Sequence, residues 1–245
     1  MLFGGTIGSQ DFSILASSNL NYLYPSSSEV IKYQVQWQQA LYKKRINEFK
    51  RSPIGYGKIV LLGNSITEGV EEKIDYFKSD EIINRGISGD FTEGVLARLD
   101  EIIYFQPKSV FILIGINDIF DDHPNRVNIT SKSVANNIIN IANTIKSGSS
   151  STLVYIQTIL PVNREKYMKV NDVRLPKYEK PLRIQIKEIN YNLMNSKYDY
   201  SIIDIYSKFV NERGIIKDSY TSDGVHLNDK GYSVWANELN SYFKH

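Results

Sequence analysis

Short, almost unbroken apolar runs alternate along this chain with longer stretches in which apolar positions recur at helical spacing. The runs Lys58–Leu62, Ile82–Asn84, Ser109–Ile114, Thr152–Gln157 and Ser201–Asp204 predict strands. The stretches Phe91–Tyr104, Ser131–Lys146, Tyr178–Asn195 and Asp229–Phe243 predict helices. Strands apolar on both faces belong to a parallel sheet covered on both sides. With right-handed crossovers between them, the expected fold class is α/β, a three-layer α/β/α sandwich.

Upstream, residues 1–28 are rich in Ser, Asn and Gly and read as an irregular arm. Ser26-Ser27-Ser28-Glu29 resembles a helix cap, and Val30–Lys50 reads as a long polar helix that Pro53 and Gly55 end. The expected organisation is an N-terminal arm and helix, 1–57, packed on one domain, 58–245. The segment Pro161–Pro181, charged and carrying three prolines, is expected to pass over the functional site.

Ligands of open parallel sheets bind beyond the carboxyl ends of the strands. Three predicted strands run directly into Gly63-Asn64-Ser65, Gly86-Ile87-Ser88-Gly89-Asp90 and Gly115-Ile116-Asn117-Asp118. Taken alone, Ser65 is a helix cap, with Ser65-Ile66-Thr67-Glu68 imitating a capping box. A nucleophilic serine needs a base within hydrogen-bond reach, itself held by a third group. Asp223-Gly224-Val225-His226 offers that pair, an imidazole one turn from a carboxylate with a glycine between them. The other two histidines fit worse, since His123 lies in a polar loop and His245 is terminal. Gly89 and Asn117 can supply neutral donors to an oxyanion. Their bland readings are a βα turn and an Asx-turn. Asp90, Phe91, Ile119 and Asn163 border the site by position, Asp90 and Asn163 as candidate substrate contacts, while Asp118 reads as a structural partner.

Composition narrows the field. The 245 residues hold no cysteine, which removes disulfides, thiolate nucleophiles and cysteine zinc sites. A net charge of +2 without a basic block argues against nucleic acid as a partner. No apolar stretch approaches the ~20 residues that span a bilayer. The N-terminus reads as carrying no signal peptide, so a cytoplasmic protein and one trimmed of its signal both fit. No oligomeric state follows from the sequence.

The four blocks Gly63-Asn64-Ser65, Gly86-Ile87-Ser88-Gly89-Asp90, Gly115-Ile116-Asn117-Asp118 and Asp223-Gly224-Val225-His226 resemble, in order, those of the SGNH hydrolases, or GDSL esterases/lipases. The resemblance runs from about Lys58 to the C-terminus. It implies a flavodoxin-like, five-stranded parallel sheet in the order 2-1-3-4-5. It makes Ser65 the nucleophile, Asp223 and His226 the acid and base, and the Ser65 N–H, Gly89 and Asn117 the oxyanion donors. One departure is Asn64, where the family pattern has aspartate. The continuation Asp90-Phe91-Thr92-Glu93-Gly94-Val95-Leu96-Ala97-Arg98-Leu99 resembles platelet-activating-factor acetylhydrolase-like proteins and bacterial carbohydrate O-acetylesterases.

The resemblance thus implies a serine esterase for short acyl esters, acetyl foremost, on a small molecule or glycan, with no metal or cofactor. Alternatives are a lysophospholipase or thioesterase of the same family, or a non-catalytic carbohydrate-binding protein. A nucleotide-binding domain lacks its full G-x-G-x-x-G. A zinc site lacks a second histidine at ligand spacing, and the G-x-S-x-G elbow is absent around Ser65.

Overall fold

The computed structural model describes residues 20–26, 28–120, 129–175, 179–197 and 199–243. Most of the expected N-terminal arm, together with His123, Tyr178 and His245, lies outside them.

Five strands, β1 (Ile59–Gly63), β2 (Ile82–Gly86), β3 (Ser109–Leu113), β4 (Leu153–Gln157) and β5 (Ser201–Ile203), form one sheet in the order β2-β1-β3-β4-β5. Every pairing is parallel. Gly63 pairs with both Gly86 and Leu113, so this register ends the first three strands level. Their three outgoing loops therefore open on one edge of the sheet.

Alternate strand residues feed two separate cores, as the period-2 direction of side chains requires. On one face Val60, Leu62, Val110, Ile112, Val154 and Ile156 meet α1 (Gln36–Arg51), α6 (Ser131–Gly148) and α8 (Leu182–Met194). On the other, Leu61, Phe111, Leu113 and Ile203 meet α10 (Asp229–Asn240), where Trp235 is fully buried. The helices between are short: α2 (Ser65–Glu68), α3 (Thr92–Leu96), α4 (Asp100–Phe105), α5 (Ile116–Phe120), α7 (Arg164–Val170) and α9 (Tyr206–Phe209). This is the α/β/α sandwich expected from the apolar pattern. No helix among the described residues is long and apolar enough to cross a membrane.

Three elements depart from the sequence reading. The helix expected from Val30 begins only at Gln36, because Tyr33 sits in the left-handed region at φ +70°. The Gln38 side chain accepts the Val35 N–H and starts the helix there. The helix expected over Phe91–Tyr104 is broken into α3 and α4, and the break falls where Arg98 turns inward onto Asp90 and the carbonyls of Gly63 and Arg85. The Pro161–Pro181 segment contains α7, capped by Asn163 through the Lys166 N–H.

The N-terminal segment is anchored by polar as well as apolar contacts. Tyr42, Ile46 and Phe49 of α1 enter the first core. The buried Glu101 carboxylate accepts from the Tyr24 hydroxyl, the Ile54 N–H and the Arg85 guanidinium. A buried carboxylate needs such partners, because losing its hydration is costly otherwise.

Candidate active site

β1 delivers Ser65 at the first residue of α2. The cap of that helix is Asn64, whose side-chain oxygen accepts the Ile66 N–H at 3.2 Å. The capping-box reading of Ser65 is thereby corrected: with Asn64 in that role, the serine hydroxyl is engaged elsewhere. It lies 3.1 Å from His226 Nε2.

The Asp223–His226 loop is built to aim the imidazole. Asp223 Oδ1 accepts the N–H groups of Val225 and His226 at 2.9 and 2.8 Å, while Oδ2 lies 2.7 Å from His226 Nδ1. Gly224 has φ +97°, and a Cβ there would come within 2.3 Å of the Asn163 carbonyl, so the turn needs glycine twice over. Thr221 ties the loop together, accepting the Gly224 N–H and donating its hydroxyl to the His226 carbonyl.

Burial alone would raise the Asp223 carboxyl, but the hydrogen bonds from the His226 ring and from the two backbone N–H groups outweigh it and hold it at about 2. The carboxylate is thus ionised at neutral pH and can only accept. A neutral His226 then carries its proton on Nδ1 and turns the Nε2 lone pair toward Ser65, so the serine hydroxyl donates to Nε2. The arrangement can take a proton from Ser65 and return it to a leaving group. With 44% of its side chain exposed, the imidazole is reachable from solvent.

The next two loops open on the same edge of the sheet as Ser65. Gly89 adopts φ +76° in the β2–α3 turn. Asn117, in the first turn of α5, donates from Nδ2 to the Asp90 carbonyl at 2.9 Å, which links the two loops. From the far side, α7 brings Tyr167 to 6.5 Å from the His226 ring, centroid to centroid.

Other candidates take different places. Asp90 is corrected from substrate contact to structural group: its side chain is fully buried and paired with Arg98 at 3.0 Å. Burial raises its carboxyl to about 6, against the pull of Arg98 and of the Phe91 N–H. Asn163 caps α7, and its N–H donates to the Gly224 carbonyl at 2.7 Å, so it positions the histidine loop. Ile119 is in the core, while buried Phe91 borders a cavity behind the site. Asp118 accepts from the N–H and hydroxyl of Thr92, a structural partnership.

Sequence reasoning missed the groups that α1 and α2 bring to the site. Arg45 lies 3.5 Å from Glu68, which in turn accepts from the N–H and hydroxyl of Ser88. Trp37 and Gln38 lie against Gly89. Their only local signal is membership of an amphipathic helix, which does not say where that helix docks.

Residues 61–234 match the sequence profile of the GDSL-like lipase/acylhydrolase family. Solved structures share the fold. A Streptococcus pneumonia protein provisionally named a platelet activating factor is 26% identical over 84% of this chain and 92% of its own, with TM-score 0.64. A GDSL-like lipase from Bacteroides thetaiotaomicron is 24% identical over 83% of this chain and 97% of its own, with TM-score 0.66. An acetyl xylan esterase is 18% identical over 76% of this chain and 99% of its own, with TM-score 0.55. No curated protein matches the chain. With well over half its length matched, the chain belongs to the GDSL-like lipase/acylhydrolase family and is an ester-hydrolysing enzyme.

Proposed function

We propose that this enzyme removes short acyl groups, acetyl foremost, from the hydroxyls of small molecules and carbohydrates through an acyl-enzyme on Ser65. One observation carries the reading: Ser65 Oγ, His226 and Asp223 stand in file at 3.1 and 2.7 Å. His226 Nε2 takes the hydroxyl proton as Ser65 Oγ bonds to the ester carbon. The carbonyl oxygen becomes an oxyanion, held by the N–H groups of Ser65 and Gly89 and by the Asn117 amide. As the intermediate collapses, the ester C–O bond breaks and the alcohol oxygen takes the proton from Nε2. Water then adds to the acyl carbon, gives its proton to His226, and displaces Ser65 Oγ, which recovers that proton.

A small, largely apolar cavity lies beneath the loops of the site. It is lined by Ile66, Ile116 and Val225, which neighbour Ser65, Asn117 and His226 in the chain, and by Ile159 and Val162. Its volume of about 10 Å³ holds one water-sized group.

In a series of p-nitrophenyl esters, kcat/KM is expected to be highest for acetate and to fall steeply beyond butyrate. A fluorophosphonate probe should label Ser65 in stoichiometric amount. Labelling at another residue, or a preference for octanoate, would sink the assignment.

The Asn117 amide makes a second test. Its Nδ2 donates to the Asp90 carbonyl, which fixes the plane of the group. The amide is assigned to the oxyanion, so Asn117→Ala should lower kcat by roughly 10²–10³ with little change in KM. A loss under about twofold would make the residue purely structural.

A further inference from the structure

Trp37 stands in the first turn of α1 with 58% of its surface open to solvent. Its ring nevertheless reaches the loop that carries the Gly89 donor. A Cβ placed on Gly89 would come within 2.7 Å of Trp37 Cη2 and 3.1 Å of Cζ3. Gly89 therefore serves both its left-handed conformation and the close approach of the indole. The neighbouring Gln38 donates from Nε2 to the Gly89 carbonyl at 3.2 Å. The start of α1 is thus docked on the oxyanion loop, and the indole face stands beside it in solvent.

The same short loop borders a cavity of about 240 Å³, lined among others by Tyr33, Phe91, Glu93, Asp118, Ser133 and Asn137. Aromatic surface set among carboxylate, hydroxyl and amide groups suits a neutral, hydroxyl-rich ring: C–H faces pack on the aromatics and hydroxyls find hydrogen-bond partners. Lys32, whose Nζ lies 4.7 Å from the Tyr33 ring centroid, partly offsets the Glu93 carboxylate, and Asp118 is engaged by Thr92, so a neutral ligand suits the cavity best. Tyr33 and Trp37 both come from the segment preceding residue 61, where the family match begins.

We propose that Trp37 is a specificity-determining residue: its indole stacks on the sugar ring whose ester is presented to Ser65, and the Tyr33–Glu93 cavity receives hydroxyls of the same saccharide. This rests on the esterase reading and assigns its alcohol to a carbohydrate.

The test separates binding from turnover. In Ser65→Ala protein, an acetylated xylo-oligosaccharide should quench tryptophan fluorescence saturably. The chain has two tryptophans, and Trp235 is fully buried, so an accessible response reports Trp37. By calorimetry, adding Trp37→Ala should weaken the Kd about tenfold, while Trp37→Phe, which keeps a ring, stays within about threefold of the parent. In the active enzyme, Trp37→Ala should lower kcat/KM about tenfold more for the acetylated oligosaccharide than for ethyl acetate, mostly through KM. Equal losses on both esters would make Trp37 a mere support of the Gly89 loop and overturn the proposal. So would ethyl acetate turnover without saccharide binding, which leaves the esterase reading intact. Saccharide binding through Trp37 without any turnover would overturn the esterase reading instead.

Discussion

Ser65→Ala is expected to lower kcat for p-nitrophenyl acetate by about 10⁵–10⁶, and His226→Ala by a similar factor. The double variant should lose little more, because in the proposed mechanism nucleophile and base act as one unit: without the imidazole at 3.1 Å the hydroxyl keeps its proton, and without the hydroxyl the imidazole has nothing to activate. Asp223→Asn should cost about 10⁴, since an amide can no longer hold the Nδ1–H tautomer. With the Asp223 carboxyl at about 2, the acid limb of kcat/KM does not belong to this residue. Steady-state kinetics, with circular dichroism to show intact folding, check all four variants. Ser65→Ala retaining a tenth or more of wild-type kcat would remove the nucleophile from the proposal.

The same residues show what a linear sequence can and cannot disclose. The central strands β1 and β3 were legible because both faces of each are buried, so apolar residues run nearly unbroken where a half-exposed strand would alternate, while the edge strands β2 and β5 are only partly buried and gave shorter runs. Ser65, Gly89 and Asn117 stood out as candidates because they follow the ends of β1, β2 and β3, which the fold class brings level. His226 was legible because its orienting carboxylate is only three residues away. The cap of α2 was not legible: that Asn64, and not Ser65, fills it depends on which side chain reaches the Ile66 N–H, a matter of torsion angles and not of spacing. The contributions of α1 were beyond reach for a different reason. Gln38 and Gly89 lie 51 positions apart, and nothing local to either encodes their hydrogen bond. Asp90 misled because its place in the second loop suggests the pocket, while its partner Arg98 lies further along in a stretch that reads as continuous helix.

That pair gives the largest expected effect on stability. Asp90→Leu should lower the unfolding free energy by roughly 3–5 kcal/mol in urea titrations, because it removes every side-chain acceptor from a guanidinium that is almost wholly buried. Arg98 also donates to the carbonyls of Gly63 and Arg85, so its displacement loosens the ends of β1 and β2 together. Converting both residues to apolar ones, Asp90→Leu with Arg98→Met, should recover only part of the loss: it removes the stranded charge, but also the donors to the carbonyls of Gly63 and Arg85. The wild-type pH profile carries the same signature. Asp90 is raised to about 6 in the folded state, above its unfolded value of about 3.9. The folded state therefore binds the proton more tightly, and this group's contribution is fullest below about pH 4 and is lost as pH rises through 6. Asp223 runs the other way: its contribution is present above about pH 4 and is lost as pH falls toward 2. Asp90→Asn should abolish the first slope and leave the second. A rise in KM with stability unchanged would instead return Asp90 to the substrate pocket, against its burial beneath the oxyanion loop.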